Sequence, residues 1–169
     1  MTTEELLQDL FARVRELVPG AVDGLDEQTL ATQPEGGGNP IAWLVWHAAR
    51  VQDDHLTDAF AAATGGEQVW ETWRERFALD LGPDETGYGH TPEQVARVRA
   101  SADLLIGYSE AVSARTEELL RGLADGDLDR VVDEDWDPPV TLGSRLVSVI
   151  GDCTQHLGQA GYVRGLLGR

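Results

Sequence analysis

Lysine is absent. All 13 basic residues of the 169-residue chain are arginines, which excludes Schiff-base chemistry on a lysine amine. Cys153 is the only cysteine, so no disulfide closes within the chain and no cysteine-rich zinc site can form. No stretch approaches the roughly 20 apolar residues that a membrane span requires. The opening residues Met1, Thr2, Thr3, Glu4 and Glu5 lack the basic and then apolar pattern of a secretory signal, and a cytoplasmic location is expected. Positive charge is scarce: 13 basic residues against 30 acidic ones give a formal net charge of -17. A field of this sign repels polyanions, so neither nucleic acid nor an anionic membrane is an expected partner. The acidic residues are mixed among apolar ones and read as a well-solvated surface.

What is present predicts one all-α domain over residues 1–169, long enough to bury about 70% of its unfolded surface. Leu6, Leu7, Leu10, Phe11, Val14, Leu17 and Val18 recur at helical spacing behind a cap at Thr2 or Thr3, giving a first helix to Pro19 and Gly20. After the breaker cluster at 34–38, Asn39 is the expected N-cap and Pro40 the first residue of a second helix. Its inner stripe is Ile41, Leu44, Val45, Ala48, Val51, His55 and Ala59. Val69, Trp70, Trp73 and Phe77 predict a short aromatic helix within residues 67–79. A capping box of Thr91, Pro92 and Gln94 opens a long third helix whose period holds from Val95 to Leu120. Residues 128–140 suit a bent connector or a small hairpin. Thr141 then caps a fourth long helix carrying Leu142, Leu146, Val149, Ile150, Cys153, Leu157, Ala160 and Leu167. Four amphipathic helices without parallel strands predict a four-helix bundle, and the long second and third connections allow a non-sequential arrangement.

The four histidines divide among the second helix (His47, His55), a loop (His90) and the fourth helix (His156). Asp152 and His156, four residues apart, place a carboxylate and an imidazole on one helix face, at the edge of the apolar stripe. His47 lies between Leu44 and Val51 at helical spacing and also points inward. Spacing alone serves two readings. One is an ordinary helix ion pair beside a hydrogen-bonded core histidine. The other is a metal site of His47, Asp152 and His156 with an open fourth position, a composition used for zinc and other divalent ions.

Four segments carry a resemblance: NPIAWLVWH at 39–47, QVW at 68–70 with Arg76 and Phe77, GYGHTPEQ at 87–94, and DCTQHLGQ at 152–159. Together they resemble the DinB-like metal-binding bundles. The nearest branch is actinobacterial and is similar to the N-terminal domain of mycothiol-dependent maleylpyruvate isomerase and to the mycothiol S-transferases. The resemblance spans nearly the whole chain. It implies an all-α DinB-like four-helix bundle with long connections and a short extra helix, whose second and fourth helices hold a divalent ion. By motif, the second-helix ligand corresponds to His47 and the fourth-helix ligands to Asp152 and His156. Many DinB-like proteins carry His where Asp152 stands and the isomerase type carries Glu; Asp keeps the latter's charge but reaches one methylene less far. The isomerase type also has a further C-terminal domain that these 169 residues do not include, and maleylpyruvate is not the expected substrate.

Several such proteins are thiol S-transferases, so the resemblance implies a small-molecule thiol of the mycothiol type and an electrophilic substrate as partners. The expected cofactor is a divalent metal, zinc foremost with nickel or another ion open, which would lower the thiol pKa. The alternatives are a non-catalytic metal- or small-molecule-binding bundle and a metal-assisted hydrolase. Gln159, one turn beyond His156, is an expected hydrogen-bond partner of the ligands. Asp54, seven residues after His47, is a candidate acceptor or base, with a plain exposed helix carboxylate as its favoured role. His55 is expected to be packed or at the rim, His90 to lie in a loop at the bundle mouth or, with Tyr88, to pack that loop on the aromatic helix, and Cys153 to be buried as a small hydrophobe. Gly151, Gly158 and Gly165 recur every seven residues on the fourth helix and suggest close approach of another backbone, either the first helix or a second copy in a homodimer.

Overall fold

A computed structural model describes residues 1–168, and its first helix begins at a capping box. The Thr2 hydroxyl accepts from the Glu5 backbone N–H while the Glu5 carboxylate accepts from the Thr2 N–H, opening α1 (Thr3–Val22). α1 continues through Pro19 to Val22, slightly past its predicted end. A single turn, α2 (Glu27–Leu30), leads to α3 (Ile41–Ala59). Pro40 keeps an extended backbone, so it is the residue before α3 rather than its first, and Asn39 does not cap the helix. Every residue from 41 to 53 is buried, which makes α3 the central helix. The one-turn α4 (Ala61–Thr64) ends on the left-handed Gly65, and α5 (Trp70–Phe77) is the short aromatic helix.

The predicted third helix is two helices, α6 (Pro92–Val95) and α7 (Ala102–Leu120). Ser101 is extended and its hydroxyl accepts from the Leu104 N–H, so α7 has its own N-cap. Apolar periodicity hides the break because Val95, Val98, Ala100 and Leu105 all reach the same core. A 3₁₀ turn (Asp125–Asp129) precedes an antiparallel hairpin of β1 (Val131–Asp133) and β2 (Val140–Thr141), with Val131 opposite Thr141. The hairpin is the second of the two expected forms of the connector. Thr141 caps α8 (Leu142–Leu166) through its hydroxyl, and Arg145 on α8 holds the Asp133 carboxylate at 2.6 Å.

α3 packs most extensively on α8 and also on α7, while α1 packs on α7 and α8. The sequence neighbours α1 and α3 therefore face one another diagonally, as do α7 and α8. The core between them includes Phe11, Trp46, Leu56, Tyr108 and Leu146, each worth roughly 1.5–3 kcal/mol of transfer free energy when fully buried. No atom of another element comes within 4 Å of a Cβ placed on Gly151, Gly158 or Gly165, so α1 does not approach them as the heptad spacing had suggested it could. Among the described residues, no helix is long and apolar enough to cross a membrane.

Candidate metal centre

The α3–α8 seam brings together His47, Asp152 and His156, one potential ligand atom of each lying within 4.8 Å of the others. His47 Nε2 is 4.0 Å from Asp152 Oδ2, and His156 Nε2 is 3.5 Å from Asp152 Oδ1. The two imidazoles meet edge to face with centroids 4.6 Å apart. Trp43, one turn before His47, stacks on its ring at 4.5 Å and 16°, and presents an edge contact to His156 at 5.9 Å. His47 is buried, whereas Asp152 and His156 are partly open, so the cluster has a floor on α3 and an opening along α8.

The hydrogen bonds at the back of each ring decide what faces the centre. His47 Nδ1 lies 2.6 Å from the carbonyl oxygen of Thr86, an acceptor only, so Nδ1 carries the proton and Nε2 is left with a lone pair. His156 Nδ1 is 3.2 Å from Gln159 Oε1, and with that oxygen as the acceptor Nδ1 is the protonated nitrogen of this ring. Asp152 Oδ2 is itself buried and has no hydrogen-bond partner. With His156 neutral, two imidazole lone pairs and a carboxylate converge. Such a set is electrostatically unsatisfied until a proton or a cation enters it, and its chemistry fits a divalent metal.

The protonation equilibria agree with this geometry. Burial pushes His47 below the usual imidazole range, outweighing the Thr86 bond that would raise it. The hydrogen bond with Asp152, stronger in effect than burial, lifts His156 above that range. Burial works against the Asp152 carboxylate, but the bond to His156 and the neighbouring imidazoles outweigh it and hold the group below its ordinary value. Without a metal, the proton on His156 is the cation that Asp152 keeps.

The loop before α6 supplies the Thr86 carbonyl, and the next residue explains how it comes so close. Gly87 has φ +100°, and a Cβ there would lie 2.6 Å from His47 Nδ1. His90 is buried; its Nδ1 accepts from the Trp43 indole N–H at 3.2 Å and its Nε2 faces Glu85 Oε2 at 3.2 Å. Its ring stacks on Trp46, so the contact that His90 makes is with α3 and not with α5. Tyr88 packs against neither helix and is 91% exposed.

Of the other singled-out residues, Gln159 contacts His156 as described. Asp54 lies elsewhere: its Oδ1 accepts from Gln68 Nε2 at 2.9 Å and its Oδ2 is 3.6 Å from His55. Seven residues return nearly to the same helix face but about 10 Å further along the axis, which is why a shared stripe did not become a contact with His47. His55 is partly exposed beside Asp54, a rim position. Cys153 is fully buried with its S–H directed at the Ala48 carbonyl, and burial pushes the thiol far above its ordinary pKa.

Sequence reading passed over a second buried polar group. The Arg50 guanidinium, fully buried, donates to the Glu85 carbonyl at 3.2 Å, to Gln68 Oε1 at 3.0 Å and to the Tyr108 hydroxyl at 3.4 Å. Asp53 accepts from the Val69 and Trp70 backbone N–H groups at the start of α5 and from the Tyr108 hydroxyl at 2.8 Å. The signal available was Arg50 and Asp53 at i, i+3 within a helix whose Ala48, Ala49, Val51 and Leu56 are apolar.

A bundle whose facing helices present His, Asp and His to one another is a DinB-like architecture. The chain belongs to the mycothiol S-transferase family, whose sequence model, described as Mycothiol-S-transferase, matches residues 6–168. It is also similar to the crystal structure of a conserved protein from Enterococcus faecalis, at 35% identity and a TM-score of 0.87, covering 100% of this chain and 99% of that one. No curated protein matches the chain.

Proposed function

We propose that the protein is a thiol S-transferase working with a divalent ion, zinc foremost, held by His47, Asp152 and His156. The supporting observation is the convergence in the α3–α8 seam of His47, His156 and the partnerless, buried Asp152 Oδ2. Membership of the mycothiol S-transferase family supports a low-molecular-weight thiol of the mycothiol type as the donor. A divalent ion bound there supplies Lewis acidity, which keeps a small thiol as its nucleophilic thiolate at neutral pH.

The protein's own groups prepare that chemistry. The Thr86 carbonyl and the Trp43 face fix the His47 ring, and Gln159 fixes His156, so both Nε2 atoms are aimed before anything binds. Asp152 contributes the negative charge that offsets a dication. The opening lies on the side of Asp152 and His156, so thiol and electrophile approach along α8 over a floor made by His47 and Trp43. Cys153 does not compete as a nucleophile, being buried behind the site and held as the neutral thiol.

Elemental analysis of untagged protein, beside His156→Ala, tests the metal part; near-stoichiometric zinc lost in the variant is expected. Thiol consumption with electrophilic substrates tests the reaction. Equal rates for the metal-loaded protein and for His47→Ala would end the transferase reading, and turnover without added thiol would favour a hydrolase using water.

A further inference from the structure

The hydrogen bond that aims His47 comes from a loop, and loops hold position only when something anchors them. The 85–90 loop is gripped by α3 on both sides of Thr86. Trp43, one turn before His47, donates its indole N–H to His90, whose other nitrogen engages the Glu85 carboxylate. Arg50, one turn after His47, donates its Nε–H to the Glu85 backbone carbonyl, the carbonyl immediately before that of Thr86.

The far end of the guanidinium is not free to slide. Its Nη1 meets Gln68 Oε1, the Tyr108 hydroxyl and Asp53 Oδ2, and Asp53 is fixed in turn by two backbone N–H groups of α5 and by Tyr108 of α7. The Trp70 ring lies under the guanidinium at 5.1 Å. Burying a guanidinium is costly, and apolar side chains of similar volume would fill this space without that cost. They would supply no directional hold on a carbonyl.

We infer that Arg50 is a positioning residue for His47, holding the Glu85 carbonyl so that the adjacent Thr86 carbonyl accepts the His47 Nδ1 proton and Nε2 faces the centre. This rests on His47 being a metal ligand for its consequence, but not for its geometry. Arg50→Lys retains a positive charge beside Asp53 and removes the Nε–H from Glu85. Thr116→Val breaks the buried Gln52–Thr116 hydrogen bond of 2.8 Å elsewhere on α3 and serves as a control for the loss of a buried polar contact that leaves the loop untouched.

Two readouts are taken: the imidazole Nδ1 proton of His47 by NMR on metal-free protein labelled at histidine, and zinc affinity by chelator competition. A slowly exchanging His47 proton is expected in the wild type and in Thr116→Val. In Arg50→Lys it is expected to be lost, with zinc affinity weakened about 10- to 100-fold. If Arg50→Lys keeps both the proton and the affinity of Thr116→Val, or the wild type shows no such proton, the inference is overturned. A wild type that shows the proton but takes up no zinc would sink the metal reading, and the proton in Arg50→Lys would still decide the positioning. Should Arg50→Lys not fold, Tyr108→Phe, which removes a hydroxyl holding the guanidinium, is read the same way.

Discussion

A methyl group on Gly87 would lie 2.6 Å from Nδ1 of His47 and within 3.2 Å of the Trp43 and Trp46 rings. The loop backbone therefore runs directly against the imidazole, and the neighbouring Thr86 carbonyl reaches Nδ1 at 2.6 Å because nothing projects between them.

Gly87→Ala must both tolerate φ +100° and push the loop off His47, so a loss of about 1–3 kcal/mol in stability is expected together with weaker metal binding. Gly89→Ala is the contrast: φ is +70° but open space surrounds its Cβ, so it carries only the backbone strain and leaves metal affinity unchanged. Urea unfolding of the metal-free proteins and chelator competition separate the two.

Metal uptake should release protons. His156 is lifted above its usual range by Asp152, so below that raised value an incoming ion displaces the proton it carries. Affinity is expected to fall as pH drops through the raised value. Calorimetry in two buffers of different ionisation enthalpy measures the protons directly, and Asp152→Asn should reduce their number along with the affinity.

Metal-free stability carries opposite contributions from the imidazoles of His47 and His156. His156, raised, contributes stability that is fully present below the unfolded value of 6.5 and is lost as pH climbs through its folded value. His47, lowered by burial, binds its proton less well folded than unfolded, so its effect destabilises as pH falls below 6.5. His55, also lowered chiefly by burial, adds to that lower limb. The summed contribution of these groups peaks near pH 6.5. Urea midpoints of the metal-free protein between about pH 5 and 9 should show the upper limb flatten in Asp152→Asn while the lower limb remains.

Cys153 should be silent toward thiol reagents in the folded protein. Its side chain is buried and its thiol is held neutral, so an aromatic disulfide reagent should react only after denaturant is added. Cys153→Ala is expected to cost about 1–2 kcal/mol from the small void and the lost S–H bond, with thiol transfer retained.

The bundle was legible because apolar residues recur at helical spacing in all four long helices, and the cap residues Thr2, Thr91 and Thr141 mark three helix starts. The break between α6 and α7 was not, since Val98 and Ala100 keep facing the core outside any helix and periodicity cannot register the change. His47, Asp152 and His156 could be grouped from facing stripes and from short motifs. The contacts that aim them could not, because Thr86 acts through its backbone and Arg50 acts through a loop 35 residues away. Asp54 shows the limit of angular position, since it nearly shares the face of His47 yet the axial rise leaves it beside Gln68 and His55.

The contact that aims His47 is written in the main chain. Exchanging side chains one at a time would pass over position 86 as silent, since any amino acid offers the same carbonyl. What the loop cannot change is its length: adding or removing a single residue between Glu85 and His90 would rotate a different peptide group toward the imidazole. The arithmetic of chain spacing, rather than the chemistry of a threonine, keeps Nε2 of His47 turned toward Asp152 and His156.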